Sequence, residues 1–356
     1  MDSRAPLASA SPVAESASIP AMTDPRRLTS SARLIRWVAL ACAVWFVSHS
    51  PMGRYAAGWV SNIVSATTRP VYQHPQESLR PFVSLVEQLD PLAVKKRPTQ
   101  PGDWLSEHPE LGQSFLQFAR SQAMPARARH ARIYVVPLGT FTPAQERLLA
   151  ETREFVAMYF GMETVCLDHQ RGIEVPAHAR RLRGSDQHEQ WLAPYLMTGV
   201  LQPAVPSDAA CVIGLTGTDL WAGPGSNFLF GRADPDQRVG VWSLARNGDP
   251  DLGEIEYRRC LRRTLKTAVH EIGHMFGIDH CTAYECCMNG SNHTEEADSQ
   301  PIEYCPECLP KLCWTCQLDP IKRAGSLIAF AETVGLHSEA AFWRTALHQL
   351  TMTPSR

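Results

Sequence analysis

A mixed, twisted β-sheet packed on helices is the architecture this sequence predicts, an α/β (α+β) class reached from three observations. β-rich runs and helical segments succeed one another in the order βαβαβββ ahead of a further helix, the order that builds a sheet with helices on its faces. That further helix, from about Glu254 to Phe276, carries an apolar stripe at Leu261, Leu265, Ala268, Val269 and Ile272, which must be buried against something. Behind it the cysteines crowd. Seven of the eleven fall between Cys281 and Cys316, a cluster with CxxC spacing that points to metal rather than to a spread disulfide framework. With 356 residues at 44% hydrophobic and 20% charged, the chain can bury one large core or two small ones.

From the N-terminus, residues 1–31 are rich in Ala, Ser and Pro without periodicity, the composition of a disordered segment. Arg26, Arg27, Arg33 and Arg36 then precede an apolar run from Trp37 to Val47. It is shorter than the ~20 residues that span a membrane, and has the size of a signal-peptide core. Export or membrane association through this run stands against an amphipathic helix on the core. Scattered prolines make 1–100 a leader and linker with one short helix, Ser78–Leu89. A main domain is expected over 101–325, and 326–356 as a helical tail running from Ser326 to Leu350.

Within the main domain, Ile133–Leu138 reads as a buried strand. Thr142-Pro143-Ala144-Gln145 is a helix start, with Thr as N-cap, Pro in the first position and Gln closing a capping box. Leu148, Leu149, Phe155, Val156 and Tyr159 give that helix an apolar face, and Gly161 ends it. Glu163–Leu167 is a second strand. A helix is expected over Asp186–Leu201, kinked or split by Pro194. Ala210–Leu215, Asn227–Gly231 and Val239–Leu244 are further strands, the last two joined by a polar loop through Asp234 and Asp236. Cys166 and Cys211 lie in apolar runs and are expected as small core residues.

The chemistry lies in His270-Glu271-Ile272-Gly273-His274 and the residues directly after it, up to His280. His270 and His274 are four apart and share one helical face, so both imidazoles can grip one cation while Glu271 reaches a bound water. Gly277 can take a left-handed conformation, end the helix and bring His280 round as a third ligand. Three histidines leave the fourth position of a tetrahedral zinc for water. Zinc brings the pKa of that water to about 7, and Glu271 would take its proton as general base.

The run continues through Cys281, Cys286, Cys287 and Met288 to Cys305-Pro306-Glu307-Cys308. With Val136-Pro137-Leu138, Asn227-Phe228-Leu229-Phe230-Gly231, Gly290-Ser291-Asn292-His293 and Glu295-Glu296-Ala297-Asp298, it resembles the archaemetzincins, a metzincin family of zinc peptidases. The likeness covers roughly Asp103 to Ile321. It implies a metzincin active-site helix and a small zinc-stabilised C-terminal subdomain, with two zinc ions per chain. One would be catalytic, on His270, His274 and His280. The other would be structural, on Cys281, Cys286, Cys305 and Cys308, a closed tetrahedral set with no place for water. Met288 would form the methionine turn below the catalytic zinc, as a packing residue. An edge strand in this region would hold a peptide or protein substrate by main-chain hydrogen bonds. A monomer is expected, in the cytoplasm by resemblance or exported by its leader. Two features depart from the family pattern: Cys287 adjoins Cys286, and Cys313 with Cys316 adds a CxxC. Either could replace an assigned ligand, or the latter pair could form a disulfide.

A formal charge of −2 offers no global attraction to nucleic acid, and no basic, aromatic surface adjoins the cysteines. There is no phosphate-binding P-loop and no GxSxG elbow. The competing reading is a zinc-stabilised protein-binding module whose histidine site is vestigial, but such a module gives Glu271 no reason to persist. Aminopeptidase and endopeptidase readings both stand.

Overall fold

The computed structural model describes residues 71–122, 130–184 and 187–352. The Arg-rich leader and the run Trp37–Val47 lie outside the described residues. In chain order the elements are α1 (Gln76–Leu89), α2 (Phe115–Ser121), β1 (Arg132–Leu138), α3 (Pro143–Phe160), β2 (Glu163–Cys166), β3 (Arg180–Arg183), β4 (His188–Leu192), β5 (Ala209–Thr216), β6 (Asp219–Trp221), β7 (Gly231–Asp234), β8 (Val239–Ser243), α4 (Glu254–Met275), α5 (Thr294–Ser299), α6 (Cys308–Cys316), α7 (Pro320–Thr333) and α8 (His337–Met352).

Five strands form the main sheet in the order β2-β1-β5-β8-β7. All neighbours are parallel except β7, which pairs antiparallel with β8 at the edge. Both faces are covered, as a parallel sheet requires. Along β1, Ile133 and Val135 point into the core shared with α3 and α4, while Tyr134, Val136 and Leu138 point into a second core. That second core is closed by Leu196–Leu201 and by a small sheet in the order β3-β4-β6. Helix α3 begins with the capping box of Thr142 and Gln145 and ends at Gly161 in the left-handed region. Helix α4 buries Leu261, Leu265, Ala268, Val269 and Ile272 against the sheet.

Several expectations are corrected. Asp186–Leu201 is not a helix: β4 occupies His188–Leu192, and a π-helical turn covers Leu196–Leu201. Pro194 stands in the first helical turn, where its missing N–H costs nothing, and so divides strand from helix. Gln190 inside β4 is buried because its amide donates to Asp219 and to the Asn227 carbonyl, pairings that no local pattern reveals. The strand expected at Asn227–Gly231 is displaced to Gly231–Asp234. The apolar side chains that suggested it belong to the approach to that strand, where Phe228 lies under the Arg246 guanidinium at 3.7 Å. Cys211 is a core residue, but Cys166 is only half-buried, because β2 is the other edge of the sheet. The C-terminal tail is two helices, α7 and α8, broken at Val334–Leu336.

The described part of each flanking segment packs into the core. Leu79, Leu85 and Leu89 of α1 join the same apolar cluster as Phe330 of α7 and Trp343 of α8. Glu303 ties them together inside: it accepts from Arg323 at 2.9 and 3.0 Å, from the Trp343 indole at 2.5 Å and from the Tyr159 hydroxyl at 3.2 Å.

Candidate metal centre

Helix α4 sets His270 and His274 one turn apart, and their Nε2 atoms face each other at 3.0 Å. The helix closes in a Schellman arrangement: Gly277, at φ +84°, donates to the His274 carbonyl at 2.8 Å and Ile278 to the Gly273 carbonyl at 3.0 Å. That reversal carries His280 back, so that one ring nitrogen from each of the three histidines lies within 4.8 Å of the others.

The opposite nitrogens explain why these atoms converge. His270 Nδ1 lies 2.8 Å from the Cys287 carbonyl and His274 Nδ1 2.8 Å from the Ile278 carbonyl. His280 Nδ1 lies 2.9 Å from both oxygens of Glu110. An oxygen acceptor calls for N–H at Nδ1, which leaves each Nε2 a bare lone pair. Burial and the neighbouring imidazoles push His270 well below its ordinary range and His274 to about 4, so both are neutral at pH 7. Neutral nitrogens crowded lone pair to lone pair repel, and a cation between them removes that repulsion. This donor set fits zinc.

Glu271 points from the same helix into the cleft, buried and, among the described residues, without a hydrogen bond. A Cβ at Gly231 would meet its Oε1 at 2.5 Å, so the start of edge strand β7 passes close over the carboxyl only because that residue is glycine. Burial pushes the Glu271 carboxyl up to about 8, with Arg232 opposing the rise. Met288 is fully buried, and its carbonyl accepts from the Cys281 amide at 2.7 Å.

Behind the histidines, the sulfurs of Cys281, Cys286, Cys305 and Cys308 lie within 4.8 Å of one another, all buried. Backbone amides of Met288 and Cys305 point at the Cys286 sulfur at 3.4 and 3.2 Å. Four thiols this close together make a four-sulfur donor set whose chemistry suits zinc. Cys287 turns away, its thiol directed at the Lys266 carbonyl at 3.5 Å, while Cys313 and Cys316 are buried along α6 outside the four. A third group, Asp103, His293 and Glu296, is already engaged locally. His293 caps α5 through the Glu296 amide, and Glu296 accepts from the Trp104 and Asn292 amides.

Glu110 and Trp104 escape a reading of sequence alone. The Trp104 indole donates to Glu110 at 3.1 Å and meets the His280 ring edge-on at 5.1 Å. Both lie some 170 residues from His280, and no local spacing signals the contact. A cleft of about 650 Å³ opens over the histidines, bounded by Asn227–Ala233, α4 and the chain from Cys287 to Gln300.

Comparison with known proteins places these features. A family model described as peptidase family M54 matches residues 209–313. Archaemetzincin-2 of Pongo abelii is 30% identical over 269 residues, covering 65% of this chain and 72% of that protein. Archaemetzincin of Pyrococcus furiosus is 33% identical over 181 residues, covering 51% of this chain and 91% of its own. The crystal structure of archaemetzincin from Methanopyrus kandleri superposes with a TM-score of 0.43 at 30% identity, covering 54% of this chain and 98% of that one.

Proposed function

The chain belongs to the archaemetzincin family of zinc metallopeptidases, and from that premise we propose a peptidase in which Glu271 is the general base at a zinc held by His270, His274 and His280. Its substrates are peptides or proteins. His270, His274 and His280 would hold the zinc, which would supply Lewis acidity and lower the pKa of a water in the cleft toward neutral. Glu271 accepts the proton of the attacking water and returns it to the leaving amine. Supporting this role are its place beside the histidines, where a cation held by them would favour the ionised carboxylate against the effect of burial, and its lack of any competing hydrogen bond among the described residues. Strand β7 is an edge of the main sheet and lines the cleft, so an extended substrate can add beside it as a further strand.

The second part of the proposal is a structural zinc on Cys281, Cys286, Cys305 and Cys308, with Met288 as packing beneath the histidines. The peptidase unit is 101–325, braced by α1 before it and by the helices of 326–352 after it. The observation that carries the reading is the convergence of one ring nitrogen from each of three histidines whose Nδ1 atoms all lie at hydrogen-bond distance from an oxygen.

The test is a diverse peptide library incubated with zinc-loaded protein and with zinc-loaded Glu271→Ala, read by mass spectrometry. Cleavage by the wild type that falls at least about a hundredfold in the variant, with bound zinc retained, is expected. Full activity in Glu271→Ala would remove Glu271 as the base.

A further inference from the structure

The cleft continues past the histidines along α4, and its far end is cationic. Arg232, Arg246, Arg263 and Lys266 all line it. Two of these are already balanced. Arg263 is held by both oxygens of Asp298 at 2.9 and 2.5 Å, and Arg246 by both oxygens of Asp219 at 2.9 and 2.7 Å. Arg232 stands exposed on β7 at the rim.

Lys266 is different. It lies four residues before His270 and eight before His274, on the same face of α4, one turn further into the cleft. Its residue is only 5% exposed, yet it lines the cleft, and its ammonium bonds to the Ala297 carbonyl. An ammonium has three donors, and among the described residues Lys266 makes no ion pair. A charge buried with so few partners is costly, and burial, then Arg262 and Arg263, pushes the amine down to about 8 against a partial opposing pull from Cys287 and Asp298, still charged at neutral pH. A carboxylate entering the cleft would supply the missing partner.

We propose that Lys266 recognises an acidic side chain, Asp or Glu, of the peptide residue that flanks the scissile bond and enters this end of the cleft. The inference rests on the peptidase reading for its setting, and it assigns Lys266 to substrate selection rather than to the reaction. The competing account is that Lys266 only fastens the Ala297 carbonyl and so holds α5 in place.

Paired peptides that differ only by Glu or Gln, placed in turn at each position around the scissile bond, separate these accounts. Wild-type protein is expected to favour the Glu twin by at least about tenfold in kcat/KM at one position, the scale of a charge-assisted hydrogen bond. Lys266→Met should bring that ratio close to unity, and Lys266→Arg should keep most of it. Fluorescence anisotropy of the same pairs on zinc-loaded Glu271→Ala, with and without Lys266→Met, tests the pocket apart from catalysis. A Lys266-dependent preference in binding, with no peptide cleaved by the wild type, would leave the pocket standing and sink the peptidase reading. Cleavage with equal use of both twins would do the reverse. A ratio unchanged by Lys266→Met, or no preference in either assay, overturns the proposal.

Discussion

Glu110 shows how much a single residue at this site does through another. Its carboxylate spans His280 Nδ1 at 2.9 Å to each oxygen and is itself held by the Trp104 indole. A carboxylate in that place fixes the ring, sets the tautomer that bares Nε2 and raises the basicity of the ligand. His270 and His274 have only backbone carbonyls in the same role, so of the three histidines His280 is the one whose orientation depends on a removable side chain. Glu110→Ala should weaken zinc at the histidine site by about 10–100-fold, measured by competition with a chromogenic chelator. Unchanged affinity would reduce Glu110 to a bystander.

Among the elements, the loop that leaves α4 couples the two metal-ligand groups. His280 and Cys281 are adjacent in the chain, and the Cys281 amide donates to the carbonyl of Met288 at 2.7 Å. The Asn289 side chain bonds to the Cys281 carbonyl at 2.7 Å and to the Tyr284 carbonyl at 3.0 Å, closing the loop on itself. A disturbance of the sulfur group therefore reaches the third histidine through one peptide bond. Cys281→Ser should lower zinc content by more than the structural ion alone and reduce peptide cleavage with it, read by elemental analysis beside an activity assay. Loss of one zinc with the histidine site and cleavage intact would show that the loop holds itself without the sulfurs.

The whole molecule is braced from the C-terminus. Glu303 is nearly inaccessible and neutralises Arg323, which is only 4% exposed, while also taking the Trp343 indole hydrogen. Burial of the ion pair is expensive to set up, and removing one member strands the other in a dry interior. Glu303→Ala should cost about 3–5 kcal/mol of stability, measured as a lower urea midpoint at unchanged slope. A loss below about 1 kcal/mol would mean that water reaches Arg323 and that the C-terminal helices are not held by this contact.

The sequence by itself determined whatever is decided within one turn of helix or a few residues of chain. The four-residue spacing puts His270 and His274 on one face of α4, and Thr142 with Gln145 caps α3 by bonds that span three residues. Gly277 ends α4 because the left-handed turn needs no Cβ. The tertiary structure alone decided what depends on partners distant in the chain. β4 reads from sequence as part of a helix over Asp186–Leu201, since the groups that make it a strand lie on β3, β6 and Asn227. The edge position of β7, the carboxylate behind His280 and the buried ammonium of Lys266 without an ion pair are likewise set by where the sheet, the Glu110 loop and the chain around Ala297 come to rest. Local spacing constrains dihedral angles directly, whereas a long-range contact exists only after the core has closed, and a single sequence carries no period that marks it.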